Sequence, residues 1–245
     1  MSKEFWKSWK NKSKLEINAI DSIKKAKNLL LANIPKKQIT AIYIKGSFVR
    51  RELTKNSDVD IVPIVKDSRY LNKILKLQKE YSKEITPSEL LPHSIREFRE
   101  NKYFLKKEGP KAHPNLFIKR IKYYNLIYGE PLDVSNFSVK SDEQRFKGLI
   151  KAFKEIFIPL YNKKKFGFSQ IIKQVFWLVD IDERIKGREP PHSWEKLAKS
   201  IKNKNHIIHD ALKFRLNPAK DKKERDKFIR KLNRYLIKLR KSNFK

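Results

Sequence analysis

The spacing of hydrophobic residues divides the chain into a mixed first part and a purely helical second part. Apolar residues recur at three- and four-residue steps from Leu15 to Leu30 and predict an amphipathic helix that Pro35 ends. The β-branched run "AIYIKGS" then predicts a strand that stops at Gly46, and "SFVRREL" predicts the start of a helix at Ser47. The alternation of strand and helix signals indicates a sheet flanked by helices.

Three further stretches extend this first part. The run "VDIVPIV" predicts a second strand, and Pro63 within it suggests a sheet edge or a bulge. "YLNKILKLQKEY" has helical spacing, and "PSELLPHSI" is a plausible third strand. "NLFIKRIKYYNLIYGEPLD" predicts another helix, which stops at Gly129.

A polar stretch around Asp133 to Ser141 reads as a linker, and beyond it only helical periodicity remains. We therefore expect an α+β protein, with a small mixed β-sheet domain followed by an all-α helical bundle. The predicted domains are residues 1–137 and residues 138–245.

The charge of the chain points to a polyanionic partner. The 245 residues carry a formal net charge of +32, and the helical half is the more basic. RNA or DNA is the expected partner, although a lysine-rich surface that only solvates the protein is the alternative. The C-terminal helix predicted over residues 220–245 concentrates this charge, and Lys231, Arg234, Lys238 and Lys241 are the cations expected to contact RNA.

Composition also bounds the cellular setting. The chain has no cysteine, which excludes disulfides and thiolate metal sites and fits a reducing cytoplasm. Its opening residues lack the apolar core of a signal peptide, and no apolar run approaches the ~18 residues of a membrane span. The expectation is a soluble, cytoplasmic protein with no membrane partner.

Two short motifs carry the candidate chemistry. Gly46 and Ser47 follow a strand, and backbone N–H groups at such a turn suit phosphate oxygens. Asp58 and Asp60 are two residues apart, so their side chains leave the same face of a strand. Paired carboxylates suit Mg²⁺, which also binds water and substrate phosphates. A phosphate-binding turn beside such a pair indicates phosphoryl or nucleotidyl transfer with two metals.

These residues resemble the polymerase-β-type nucleotidyltransferase superfamily, in particular its minimal and kanamycin-nucleotidyltransferase-like members. The resemblance covers about residues 36–133 and rests on Gly46, Ser47, Arg50, Ser57, Asp58 and Asp60. Arg51 departs from it, since these small proteins usually carry glycine there.

The resemblance implies NTP as substrate, a two-metal Mg²⁺ site and a third carboxylate on a later strand. Glu89 is the candidate, so Asp58, Asp60 and Glu89 are the predicted catalytic residues and metal ligands, whereas Gly46, Ser47 and Arg50 are predicted to bind the nucleotide. The alternatives are an exposed structural carboxylate for Glu89 and a salt-bridge partner for Arg50. His93 lies on the same predicted strand and is expected to be a satisfied polar residue rather than a catalytic one.

The helical half resembles HEPN-like domains in "IIKQVFWLVDIDERIKGREPPHSWEKL". HEPN ribonucleases place four to six residues between an Arg and a His, whereas Arg188 and His192 have three between them, which argues against a nuclease. In kanamycin-type enzymes a Glu on the first helix of this half is the base. Glu155 is the candidate residue that corresponds to this base in the present sequence. The alternative is that Glu155 is a solvated surface carboxylate without a catalytic role.

Together these features predict an enzyme that moves NMP from an NTP to an acceptor hydroxyl, with tRNA-like RNA as the expected acceptor. A protein acceptor (AMPylation) or a small molecule such as an aminoglycoside is the alternative, and the cationic charge of an aminoglycoside matches a +32 protein poorly. A catalytically inactive nucleic-acid-binding module is a third possibility.

Overall fold

The computed structural model of the chain describes residues 4–105, 114–219 and 221–243. The chain forms two compact units, Met1–Val139 and Lys140–Lys245. In the predicted C-terminal basic helix, Lys220, residues 244–245 and the side chain of Lys241 lie outside the described part.

The N-terminal unit contains a five-stranded mixed sheet. Its strands are β1 (Ile39–Lys45), β2 (Val59–Val65), β3 (Ser88–Leu90), β4 (His93–Ser94) and β5 (Asn125–Gly129). Strand β1 pairs antiparallel with β2 and β5, whereas β3 and β4 pair parallel with β2. The helices of this unit are α1 (Lys14–Asn33), α2 (Arg69–Glu80), α3 (Ile95–Glu100) and α4 (Asn115–Arg120). Short 3₁₀ turns cover Phe5–Ser8, Lys36–Gln38 and Ile121–Tyr123.

Alternation along β2 sorts its side chains between two cores. Val59 and Ile61 pack into a core with buried residues of α1 and α2. Val62 and Ile64 pack on the other face, with Phe98 of α3 and Phe117 of α4. Because side chains alternate between faces, Asp60 belongs to the second face, at the end where β2 begins.

Helix α1 supports β3 through a serine at its middle. The Ser22 hydroxyl donates to the carbonyl oxygen of Ile85 at 2.5 Å and lies 2.6 Å from the Ser88 hydroxyl. It also accepts the backbone N–H of Ser88 at 3.1 Å. These bonds are buried, where an unmade hydrogen bond is costly, so they determine where β3 starts.

Two predicted helices are absent or shorter than expected. "SFVRREL" does not start a helix, because residues 47–51 form a single turn. The helix predicted up to Gly129 ends at Arg120, and residues 125–129 form strand β5, which pairs with the free edge of β1.

Proline 63 is neither at a sheet edge nor at a strand end. It lies within β2 opposite Ile42 of β1. On the other side of β2, pairing with β3 ends at Ile61 and pairing with β4 begins at Ile64, so Pro63 lies opposite the interruption. The residue is tolerated there because the ladder is already broken on that side.

Described residues of the C-terminal unit form helices and connecting segments without a strand. Its helices are α5 (Asp142–Ala152), a π-helical turn (Phe153–Phe157), α6 (Ile158–Asn162), α7 (Phe168–Ile185), α8 (Trp194–Ser200), α9 (Ile207–Leu216) and α10 (Lys222–Asn243). They enclose one core that includes Phe153, Phe176 and Leu232. The predicted α+β class is thus confirmed. None of the helices in the described ranges is long and apolar enough to cross a membrane.

Candidate active site

The turn that follows β1 is closed by two backbone hydrogen bonds. The N–H of Glu52 donates to the Ser47 carbonyl at 2.9 Å, and the N–H of Arg51 donates to the Phe48 carbonyl at 3.0 Å. This is the Schellman pattern, in which the penultimate residue takes a left-handed conformation. Arg51 is that residue, with φ of +58°. Ser47 therefore begins one helical turn rather than a helix.

Gly46 makes room for a carboxylate. Lys45 of β1 lies opposite Asp60 of β2, which brings Gly46 against the Asp60 side chain. A Cβ atom on Gly46 would lie 2.4 Å from the Asp60 Oδ2. Gly46 also has φ of +84°, a conformation that favours glycine. The position thus needs glycine both for its backbone and for the carboxylate beside it.

Asp58 and Asp60 flank the first residue of β2. A turn places Asp58, because the Ser57 hydroxyl accepts the backbone N–H of Thr54 at 2.9 Å. Within the described ranges, neither Asp58 nor Asp60 has a hydrogen-bond or ion-pair partner. In a chain of net charge +32, two neighbouring carboxylates that form no ion pair with a described basic side chain are suited to an external cation.

Glu89 lies on the neighbouring strand beside Asp60. The parallel ladder between β2 and β3 pairs these two residues, so their side chains leave the same face of the sheet. Asp58 and Glu89 also line one open groove of about 470 Å³, together with Lys55 and Gln78. The structure thus brings the three predicted carboxylates to one end of one sheet face.

Those carboxylates do not form a closed set of metal ligands. Among the residues that the structure describes, no group of three or more His, Asp or Glu side chains is arranged to hold a metal ion. Mg²⁺ is commonly held by one or two carboxylates, with water and substrate phosphates completing its shell. The Asp58 and Asp60 pair, together with the space that Gly46 leaves, fits that kind of site.

Lys45 is absent from the predicted site residues, although its position is close to Asp60. Opposite residues of an antiparallel pair have Cβ atoms about 5 Å apart on the same face. Burial raises the pKa of the nearby Tyr124, and the positive charges of Lys45 and Arg120 oppose that rise. The signal in the sequence is a lysine directly before the Gly46 turn, which a β1–β2 hairpin places opposite the second aspartate.

Arg50 and His93 both have partners within the protein. The Arg50 side chain is 5% exposed and forms an ion pair with Glu52 at 2.8 Å, and its binding to the nucleotide stays a prediction. His93 is buried, with its ring stacked near Tyr103 and its Nδ1 3.4 Å from the Glu97 carboxylate. His93 therefore packs between aromatic rings on the α3 side of the sheet.

In the helical unit, Glu155 lies on the π-helical turn Phe153–Phe157, is exposed, and has Lys151 3.8 Å away. Arg188 forms an ion pair with Glu183 at 2.6 Å. A catalytic role for Glu155 and a HEPN-like origin of this unit stay predictions.

Comparisons with known proteins bear on the site and on the fold. The family model described as polymerase beta, nucleotidyltransferase matches residues 10–117, a range that includes Gly46, both aspartates and Glu89. The fold is similar to that of the spectinomycin adenyltransferase AAD(9) from Enterococcus faecialis, solved with ATP and spectinomycin. The TM-score is 0.53 at 16% identity, over 89% of this chain and 98% of that chain, a likeness of fold alone.

No curated protein matches the chain in sequence. The family match nevertheless covers strands β1 to β4 and the paired aspartates described above. Residues 10–117 of the N-terminal unit are therefore similar to the nucleotidyltransferase domain of the polymerase β type, and the protein is a nucleotidyltransferase.

Proposed function

We propose that the protein moves NMP from an NTP to an acceptor hydroxyl in a Mg²⁺-dependent reaction, with Asp58 and Asp60 as metal ligands. The observation that carries this proposal is a pair of carboxylates that have no hydrogen-bond or ion-pair partner among the described residues, with Gly46 leaving room for the Asp60 side chain. Residues 1–137 would form the catalytic domain, and residues 138–245 would recognise the acceptor and the nucleotide.

In this reaction the acceptor oxygen forms a bond to the α-phosphorus, and the bond from that phosphorus to the pyrophosphate oxygen breaks. The hydroxyl proton passes to a base, and pyrophosphate leaves. A bound metal ion would neutralise charge on the phosphates and lower the pKa of the acceptor hydroxyl. Glu89, which lies beside Asp60 on β3, would complete the metal site. The backbone at Gly46 and the Ser47 hydroxyl would bind the β- and γ-phosphates.

RNA is the acceptor class that charge favours. Four cations of α10 recur at steps of four, three and four residues, all of them exposed: Lys223, Lys227, Arg230 and Arg234. We call this set the α10 cation stripe. It spans roughly 16 Å at the rise of an α-helix, and none of its members has an ion-pair partner within the described ranges. Such a row of cations suits consecutive phosphates of a nucleic acid strand.

Two of the cations predicted for this face, Lys231 and Lys238, have interaction partners within the protein. Lys231 forms an ion pair with Asp210 of α9 at 2.5 Å, so it is removed from the proposed contact set. The side chain of Lys241 lies outside the described residues. The α10 cation stripe is therefore the surface to test.

Charge reversal of the four stripe residues should weaken RNA binding and flatten the dependence of log K on log salt concentration. Each lost phosphate contact should reduce that slope by about 0.7 to 0.9. A control with the same change in net charge reverses four exposed lysines on α1, α2 and α7: Lys24, Lys73, Lys76 and Lys173. Equal effects of the two sets would mean that net charge alone matters and that the stripe is a solvated surface.

A small-molecule acceptor is the second candidate, and the fold likeness favours it. The similarity to the spectinomycin adenyltransferase extends over 98% of that chain, so this protein has counterparts of both its units in an enzyme of that kind. Labelling decides between the acceptors. The protein is incubated with each α-³²P-NTP, Mg²⁺ and either total RNA, spectinomycin or a cell protein extract, and the labelled product is identified.

Label in RNA supports the RNA acceptor, whereas label in spectinomycin or in protein overturns it in favour of that acceptor. Absence of label with all acceptors and all four NTPs would favour the inactive nucleic-acid-binding module and contradict the proposed reaction.

A further inference from the structure

The turn after β1 ends in a conformation that its own residue disfavours. Arg51 has φ of +58° at the left-handed position of the Schellman turn, where glycine is the usual residue. The same motif recurs in the helical unit, where Lys165 N–H donates to Leu160, Lys164 N–H donates to Tyr161 and Lys164 has φ of +58°. For a residue with a Cβ this conformation costs free energy, and the side-chain contacts of Arg51 therefore merit comparison with those of Lys164.

The Arg51 side chain is held by contacts to a distant part of the chain. Its Nε donates to Glu16 Oε1 at 2.7 Å and its Nη2 donates to Glu16 Oε2 at 3.0 Å, the bidentate arrangement that gives the strongest ion pairs. Two further bonds reach the carbonyl oxygens of Lys10 and Asn11, each at 3.2 Å. The guanidinium also lies over the ring of Trp9, 4.9 Å from its centroid. All of these partners precede the sheet in the chain.

Glu16 is itself positioned to receive the guanidinium. It is 6% exposed and belongs to the capping box of α1, where its carboxylate accepts the backbone N–H of Ser13 at 2.8 Å. The hydrogen bond from Arg51 is the main cause that lowers the pKa of Glu16, so the pair is charged at neutral pH. The N-terminus of α1 and the turn after β1 are thus joined by one buried carboxylate.

Aromatic packing joins the same two segments a second time. Phe48, the residue after Ser47, is fully buried in the turn. Three aromatic rings of the N-terminal segment surround it: Phe5 at 5.9 Å, Trp6 at 6.1 Å and Trp9 at 5.0 Å between ring centroids. The turn that contains Ser47 therefore has the N-terminal segment on one side and β1 on the other.

We propose that Arg51 is a positioning residue for nucleotide binding, and that it acts by tying residues 5–16 to the turn that presents Gly46 and Ser47. The clasp, defined as Arg51 with Glu16, Trp9 and the carbonyls of Lys10 and Asn11, keeps the turn in one conformation before the nucleotide arrives. This inference rests on the proposed function, since it assigns the turn to the NTP phosphates. Arg51 itself is not assigned to the phosphates, because its guanidinium is bonded to Glu16.

The test is Arg51→Gly in the full-length protein, with Lys164→Gly as the matched control. Glycine accepts the left-handed conformation at both positions, so both variants relieve the same backbone strain. Only the first removes the clasp. We expect Arg51→Gly to raise the KM for NTP at least tenfold and to leave the KM for the acceptor unchanged. Hydrogen exchange should become faster at the backbone amides of positions 51 and 52. Arg51→Lys keeps the positive charge but cannot form the bidentate pair with Glu16. Its KM for NTP should therefore lie between those of Arg51→Gly and Lys164→Gly.

A purely structural arginine gives a different result. If Arg51→Gly matches Lys164→Gly in the KM for NTP, the inference is overturned, even if hydrogen exchange at the turn is faster. Failure of the proposed function is recognised separately, because the parent protein would then transfer no nucleotide in the same assay.

Discussion

Replacement of Gly46 by alanine should abolish most of the activity while the protein still folds. The added Cβ would lie 2.4 Å from the Asp60 Oδ2, whereas ordinary contact begins at 3.4 Å. The carboxylate or the turn must therefore move by about 1 Å, and a displacement of that size in a reacting group costs on the order of a hundredfold in rate. The positive φ of +84° adds strain of about 1–2 kcal/mol to the folded state.

The strain and the displacement can be separated with a second glycine. Gly187 has φ of +76°, but a Cβ there would meet nothing within 4 Å. Gly187→Ala should therefore lower the free energy of unfolding by a similar amount, about 1–2 kcal/mol, without moving a carboxylate. Urea unfolding measures the loss of stability in both variants. Pyrophosphate release from NTP at saturating substrate measures the loss of turnover that a displaced carboxylate would cause.

The two variants should agree in stability and differ in turnover. If Gly46→Ala turns over at the rate of Gly187→Ala, the contact between Gly46 and Asp60 does not hold the carboxylate in its working position. The reasoning from the β1–β2 register to the site would then be refuted.

Two further changes test the nucleotide turn and the helical unit. Ser47→Ala should raise the KM for NTP more than the KM for the acceptor, because Ser47 is proposed to bind the NTP phosphates. Unchanged KM and kcat values would show that Ser47 does not contact the nucleotide. Burial lowers the pKa of His206 to about 4 from the ordinary 6.5, so between these pH values the unfolded chain binds a proton that the folded chain does not. Stability should therefore be full above pH 6.5 and fall by up to about 3 kcal/mol as the pH drops to 4. His206→Asn, which keeps a side chain able to cap Ile208, should flatten that dependence in urea titrations; an unaltered pH profile would exclude His206 as its source.

Local patterns were sufficient where an element depends on its own residues. The apolar run "VDIVPIV" correctly predicts β2, and the two-residue spacing of Asp58 and Asp60 predicts that they share one face before any partner strand is known. The three- and four-residue spacing likewise predicts α1 and the helices of the second half. What no local pattern contains is the pairing of Asp60 with Glu89, which depends on where α1 and Ser22 place β3.

The wrong predictions fall where distant residues decide the conformation. Arg51 has no intrinsic preference for positive φ, and its side chain bonds to Glu16, 35 positions earlier in the chain, a contact that no local pattern contains. Residues 125–129 continue an apolar spacing that suits a helix, but the open edge of β1 gives their backbone N–H and carbonyl groups strand partners. Tertiary context therefore overrides local preference at both places.

Release of pyrophosphate by the parent protein and by Asp58→Asn and Asp60→Asn tests the central claim most directly. Each substitution removes one anionic oxygen ligand and relieves the repulsion between the two carboxylates, so the variants should fold as the parent does. With NTP, Mg²⁺ and the acceptor identified by labelling, the parent should release one pyrophosphate for each NMP transferred, and both variants should release none above background. Release of inorganic phosphate in place of pyrophosphate, or parental turnover in either variant, would contradict the assignment of these two aspartates to nucleotidyl transfer.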